Sequence, residues 1–240
     1  MRMDCGLKTF MAVVTTALVF VIGADSADAI PRGASGHIAR EVSPSIYKPE
    51  EIPESSAADA AYNLGVKYYR YGRGHIRRAV EWFRQAAELG SAQGQYRMGV
   101  AHELGEGVAK DYTEALKWYR LSAIQKNKDG QYGLGSLYAN GYGVERDYAE
   151  AAKWYKLSAA QGMHYAQYEL GRLFLEGNGV EQSYQEAYFW FALGARKIDE
   201  SMKKRDEVAK HLTDEQVQAL RRRLMEWEPV QHNDEFNPPQ

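Results

Sequence analysis

A chain of 240 residues with 30 basic and 32 acidic side chains has a net charge of −2, which gives no electrostatic reason to expect nucleic acid or an anionic membrane as partner. Its one cysteine, Cys5, stands near the start, so disulfides cannot staple any later domain and packing must support the fold. Seventeen tyrosines and five tryptophans supply the large side chains from which a helical core is built.

Residues 1–29 read as an export signal. Arg2 and Lys8 flank its start, Thr9 to Ala24 carries no charge, and Ala27-Asp28-Ala29 gives a small-x-small cleavage pattern. The 16 uncharged residues are short of the roughly 20 that a membrane span requires. Cleavage after Ala29 is expected, placing the mature chain in the periplasm or outside the cell. If the segment is retained, it is an N-terminal anchor and the only expected membrane contact. Residues 30–56 contain Pro31, Pro44, Pro49 and Pro53 without a periodic apolar stripe, the composition of an extended, flexible linker.

From residue 57 a ruler organises the chain. Tyr96 recurs as Tyr132 and Tyr168, Gly99 as Gly135 and Gly171, and Trp118 as Trp154 and Trp190, always at steps of 36 residues; the same step back from Trp118 lands on Trp82. Fixed self-similarity at this period marks a stack of supersecondary units that bury their apolar faces on one another. In the unit 92–127, apolar residues from Gln95 to His102 fall at helical spacing. Leu104-Gly105-Glu106-Gly107-Val108 breaks that helix. Asp111 with Glu114 three residues on has the form of a capping box. The second helix then carries Ala115, Trp118, Tyr119, Ser122 and Ala123 on one stripe. The small residues Gly99, Gly135, Gly171 and Ala115, Ala151, Ala187 are expected to let paired helices approach, with Trp and Tyr filling the wider gaps.

The string Tyr96-x-Met98-Gly99, Gly105-x-Gly107-Val108, Asp111-x-x-x-Ala115-x-x-Trp118-Tyr119, Ala123 resembles the Sel1-like repeat, a relative of the tetratricopeptide repeat. The resemblance covers residues 57–199 as four units, 57–91, 92–127, 128–163 and 164–199. It implies an all-α fold, a right-handed α/α solenoid of helix-turn-helix units. It also implies a scaffold or adaptor whose concave groove holds a protein or peptide. The first unit departs from the others: Gly65 to Trp82 spans 17 residues against 19 from Gly99 to Trp118, and Tyr71-Gly72-Arg73-Gly74-His75 replaces the usual turn and cap. Such degeneracy suits the end of a stack. Some exported relatives carry a cysteine pair in each unit; this chain has none, so no property tied to those bridges transfers.

After Ala195 the repeat dissolves. Residues 200–228 predict a capping helix pair, the second opened by the capping box Thr213-x-x-Gln216 and striped with Val217, Leu220, Leu224 and Trp227. Residues 229–240 read as a disordered tail. Arg221-Arg222-Arg223 points in three directions on a helix and reads as a solvated face.

No constellation for chemistry stands out. None of the six histidines pairs with another His or Cys at metal-ligand spacing, and His102-Glu103 does not complete a His-Glu-x-x-His because residue 106 is Glu106. The Gly-x-Gly-Val elements follow no strand and are turns. Glu103 and Glu106 read as surface carboxylates. Neither catalytic residue, cofactor nor metal is expected. The favoured function is a non-catalytic interaction scaffold in the cell envelope, with a cell-wall or β-lactam-acting enzyme, a glycan-binding module and a self-associating solenoid as the alternatives. In the family the first helix of each unit lines the inner curve. The positions there that face away from the packing stripe are Asn63, Arg70, Arg97, Ser136, Asn140, Glu169, Arg172 and Glu176. They vary where the packing residues repeat, and they form the expected groove.

Overall fold

The computed structural model describes residues 54–230. The expected signal segment 1–29, nearly all of the linker and residues 231–240 of the tail lie outside the described residues. Within them the chain forms ten α-helices: α1 Glu54–Arg70, α2 Ile76–Glu88, α3 Ala92–Leu104, α4 Tyr112–Ile124, α5 Lys128–Asn140, α6 Tyr148–Ala160, α7 His164–Glu176, α8 Tyr184–Gly194, α9 Asp199–Ala209 and α10 Asp214–Glu226. A single 3-10 turn, Arg73–His75, stands between α1 and α2. Each helix packs on its sequence neighbours from α1 to α9, and α10 returns onto α8. The first four pairs are the four units, so the fold is an all-helical solenoid closed by a helix pair.

The glycine that recurs every 36 residues has one job. A Cβ on Gly99 would lie 2.4 Å from the ring of Tyr119, and on Gly135 2.8 Å from that of Tyr155. Gly65 and Gly171 stand in the same relation to Phe83 and Phe191. Each unit therefore seats one aromatic ring of its second helix in a notch of its first, and no larger residue fits the notch. Ala79, Ala115, Ala151 and Ala187, all fully buried, complete these seams. Of the recurrent tryptophans, Trp82, Trp154 and Trp190 are buried, whereas Trp118 is only partly so.

Between units a glutamine makes the link. Gln95 donates its Nε2 to the carbonyl of Ala87 at the end of α2, Gln131 to Ala123 at the end of α4, and Gln167 to Ala159 at the end of α6. These carbonyls end their helices, where each accepts a turn amide, from Gly90, Lys126 and Gly162, and the glutamines that add a second bond are buried. Gln125 and Gln161 in turn donate 2.7 Å bonds to Gln95 and Gln131. The turn glycines provide a second link. Gly143 has φ +69°, and a Cβ there would stand 2.6 Å from the Tyr112 carbonyl at the start of the previous unit's second helix.

Asp111, Asp147 and Ser183 cap α4, α6 and α8 as expected, accepting from backbone amides. The reciprocal half of the box is made only at Thr213–Gln216. Glu114 pairs with Lys117 instead, and Glu150 with Lys153 while accepting from the Trp154 indole N–H at 2.9 Å. In the first unit the 3-10 turn replaces the capped entry, and α2 begins without a side-chain cap. At the other end α9 takes the place of a fifth first helix, with Ser201 Oγ bonded to the Phe191 carbonyl and Val208 buried. Arg221, Arg222 and Arg223 are all exposed, but Arg223 is also partnered: its guanidinium lies 3.7 Å over Phe189 and holds the Glu186 carboxylate with two nitrogens. It fastens α10 to the fourth unit.

Candidate interaction surface

Successive first helices meet, α1 on α3 and α3 on α5, while successive second helices are separated by the first helix between them. A stack that is closer on one side curves toward that side, so the first helices line the inner surface. One column of it is invariant. Tyr62, Tyr96, Tyr132 and Tyr168 occupy the same register in the four units and are all half-buried. Each tilts against the aromatic ring seated in its own unit, at 5.8 Å for Tyr62–Phe83, 5.9 Å for Tyr96–Tyr119, 5.8 Å for Tyr132–Tyr155 and 5.8 Å for Tyr168–Phe191. Tyr165, well exposed, adds a ring 6.1 Å from Tyr132.

The eight residues expected in the groove fall into three rows. Asn63, Arg97 and Glu169 share one register, with Gly133 in the third unit. Ser136 and Arg172 share the next, with Val66 and Val100. Arg70, Asn140 and Glu176 share the last, with Leu104. Asn63, Arg70, Asn140 and Glu176 are exposed; Arg97, Ser136, Glu169 and Arg172 are half-buried. On α7 three of them form one network, Arg172 reaching Glu169 at 3.1 Å and Glu176 at 3.6 Å. On α5 Asn140 donates to the Ser136 carbonyl at 2.8 Å. Arg97 lies within 6 Å of the rings of Tyr69, Phe83 and Tyr96, with its Nε buried and without a hydrogen-bond partner.

Two features of this surface were not apparent in the sequence. Glu103 is half-buried and accepts the hydroxyl proton of Tyr119, and Glu106 accepts from Tyr69 at 3.3 Å; neither is a free surface carboxylate. The tyrosine column, taken from the sequence as packing alone, also supplies polar edges. Burial first, then the carboxylates of Glu169 and Glu103, push the Tyr132 hydroxyl up to about 12. Burial and Asp129 raise that of Tyr96, and burial with Glu103 raises Tyr119 further. Every one of these hydroxyls is a proton donor at neutral pH. Glu169 is itself raised by burial, with Arg172 opposing. Among the described residues no group of His, Cys, Asp and Glu is arranged to hold a metal ion, and no helix is long and apolar enough to cross a membrane.

The Sel1 repeat model matches residues 58–91, 92–127, 128–163 and 164–199 in four consecutive copies, more than half of the chain. The chain belongs to the Sel1 repeat family. Its four Sel1 units follow one another without a gap. A Sel1 repeat protein from Oxalobacter formigenes is similar in structure, with a TM-score of 0.57 and 28% identity over 73% of this chain and 77% of that one. A protective antigen of uropathogenic Escherichia coli with an SLR fold shares the fold, with a TM-score of 0.50 and 24% identity over 77% of this chain; the match spans 52% of the antigen. No curated protein matches the sequence significantly. Sel1 repeat proteins generally mediate protein–protein interactions, typically without catalysis.

Proposed function

We propose that this Sel1 protein is a non-catalytic scaffold of the cell envelope that binds a protein partner along the inner surface of its solenoid. The observation that carries the reading is the contrast on that surface. A fixed tyrosine column supplies adhesive area that recurs in every unit, while the flanking rows 63/97/133/169, 66/100/136/172 and 70/104/140/176 differ from unit to unit. Apart from Gly133, which makes room for the Tyr119 ring, packing has no need of that variety, and selection of one partner does. The export pattern of residues 1–29 supports the envelope setting.

The test is photo-crosslinking of the full-length chain in its native cells. A crosslinking amino acid replaces Tyr165 or Asn140 on the inner surface, and Arg222 on the capping pair as control. The expected result is one dominant protein captured from the two inner positions and absent from the control. Charge reversal of Arg97 and Arg172 together should weaken that capture. Recovery only of cell-wall fragments, or only of the chain itself, would overturn the reading in favour of a glycan-binding or self-associating role.

A further inference from the structure

The inner surface also carries a sign. Asp129 lies near the start of α5, and Tyr165 holds the same register on α7. Tyr132 is three residues beyond Asp129, and Glu169 four beyond Tyr165, so each pair shares a helix face. Across from them the ring of Tyr119 sits between Gly99 and Gly133, either of whose Cβ atoms would meet it within 3 Å. Its hydroxyl emerges to donate to Glu103. Glu103 and Asp129 thus lie close enough to Tyr96, and Glu103 and Glu169 to Tyr132, to act on their hydroxyls, and the Tyr165 ring stands 6.1 Å from that of Tyr132. Arg172 answers Glu169 but is shared with Glu176. Neither Glu103 nor Asp129 forms an ion pair among the described residues. Of the other inner cations, Arg70 belongs to the first unit, and Arg97 is shared between the rings of Tyr69 and Phe83 there and that of Tyr96.

We infer that the middle of the groove selects a cationic side chain, a lysine or arginine projecting from an extended segment of the partner protein. Tyrosine faces attract a cation through their quadrupole, by about 0.5–1 kcal/mol when exposed and about 2 when desolvated. Half-buried carboxylates beside them supply the countercharge and the hydrogen-bond acceptors that an ammonium or guanidinium loses on leaving water. An acidic segment meets the opposite, like charges at Glu103 and Asp129. The inference rests on the proposed protein-binding role and names its specificity.

An array of dodecapeptides of varied charge, probed with the full-length chain, tests it. Peptides with a lysine or arginine beside an apolar residue should be enriched, and their binding should weaken as salt rises. The double variant Glu103→Gln/Asp129→Asn should bind them at least about tenfold more weakly, the scale on which a close charge pair acts. Ser136→Arg, which puts a cation in the row of Arg172 and gives up the Ser136 contact with the Tyr155 hydroxyl, should abolish binding while its helical circular dichroism stays that of the parent. Enrichment of acidic or neutral peptides, lost in Ser136→Arg but indifferent to the carboxylate variant, would overturn the cationic specificity while the groove itself stands. Enrichment unaffected by Ser136→Arg would overturn the groove as the binding surface. An array in which no peptide exceeds the Ser136→Arg background would overturn the inference, leaving the crosslinking experiment to decide the scaffold role independently.

Discussion

The seams between helices and the inner surface are built from the same helices under opposite rules. In a seam, every unit repeats the same devices: a glycine notch for a ring, a buried alanine opposite, a glutamine on the preceding helix end. On the inner surface only the tyrosine column repeats, and the residues beside it change in size and charge. The difference follows from what each must satisfy. A seam has one partner of fixed shape, so a single solution is reused at close packing. The inner surface faces outward from the stack, and nothing inside the fold constrains Val100, Ser136 and Arg172 to resemble one another.

Truncating one tyrosine on each side of that division gives the largest contrast. Tyr119 is 1% exposed and held between two glycines, so Tyr119→Ala leaves a cavity that neither notch can close. A loss of about 3–5 kcal/mol is expected in urea unfolding. Tyr132→Ala, which removes a half-buried ring, should cost about half as much. Equal losses would mean that the column belongs to the core and that the division is false.

A second contrast lies between two glycines of one turn. Gly141 and Gly143 both have positive φ, +71° and +69°. Only Gly143 also meets backbone inside contact distance, since a Cβ added to it would stand 2.6 Å from the Tyr112 carbonyl, whereas one on Gly141 would meet the Arg146 amide at 3.4 Å. Gly141→Ala should cost about 1–2 kcal/mol, the strain of an L-residue in the left-handed region. Gly143→Ala should add about 1–3 kcal/mol of overpacking. The readout is the denaturation midpoint of each variant. Similar midpoints would show that the turn yields and that it is not a seam.

The glutamine link is smaller and more local. Gln131 is fully buried, donates to the Ala123 carbonyl and accepts from Gln161. Gln131→Leu keeps the volume but removes both bonds, leaving the Ala123 carbonyl with the Lys126 amide and Gln161 with the Leu157 carbonyl, for an expected loss of about 0.5–1.5 kcal/mol for each bond. Hydrogen exchange should report it first at the end of α4 and the start of α5. An unchanged exchange pattern there would remove the glutamine from the seam.

How much of this was readable in the sequence follows the same division. The period, the turns and the caps were legible because glycine, proline and cap residues have few alternative uses. The Gly99–Tyr119 and Gly135–Tyr155 notches were legible as close approach. The glutamines recur at 95, 131 and 167 with the same period, yet a glutamine in a helix ordinarily faces water, so only the fold shows that these do not. The contacts of Arg223 were missed for the same reason, since its stacking on Phe189 depends on where α10 returns. On the inner surface the eight expected residues lie in three shared registers of the first helices. What the sequence withheld was the role of residues that serve both layers: Tyr132 and Glu103 face the groove while touching the core, and a helical period assigns each residue to a single face.

The smallest expected effect tests that double service at Glu169. Its carboxyl is raised above its ordinary value, chiefly by burial, with Arg172 opposing. The folded state then holds the proton more tightly than the unfolded chain. Stability must fall as pH rises through the interval between the unfolded value, about 4.3, and the raised folded one, because the native state binds more protons there. Glu169→Gln mimics the protonated form at every pH. At pH 4 it should match the parent closely, and at pH 7 it should be the more stable by less than about 1 kcal/mol, on the scale of about 1.4 kcal/mol for each pKa unit. Paired urea titrations at the two pH values read the difference. A variant less stable at pH 7 would show that the Arg172 pair outweighs burial, and that Glu169 is held for the fold. A gain would mean that the fold bears a small cost to keep a carboxylate on the inner surface, which belongs to binding and not to packing.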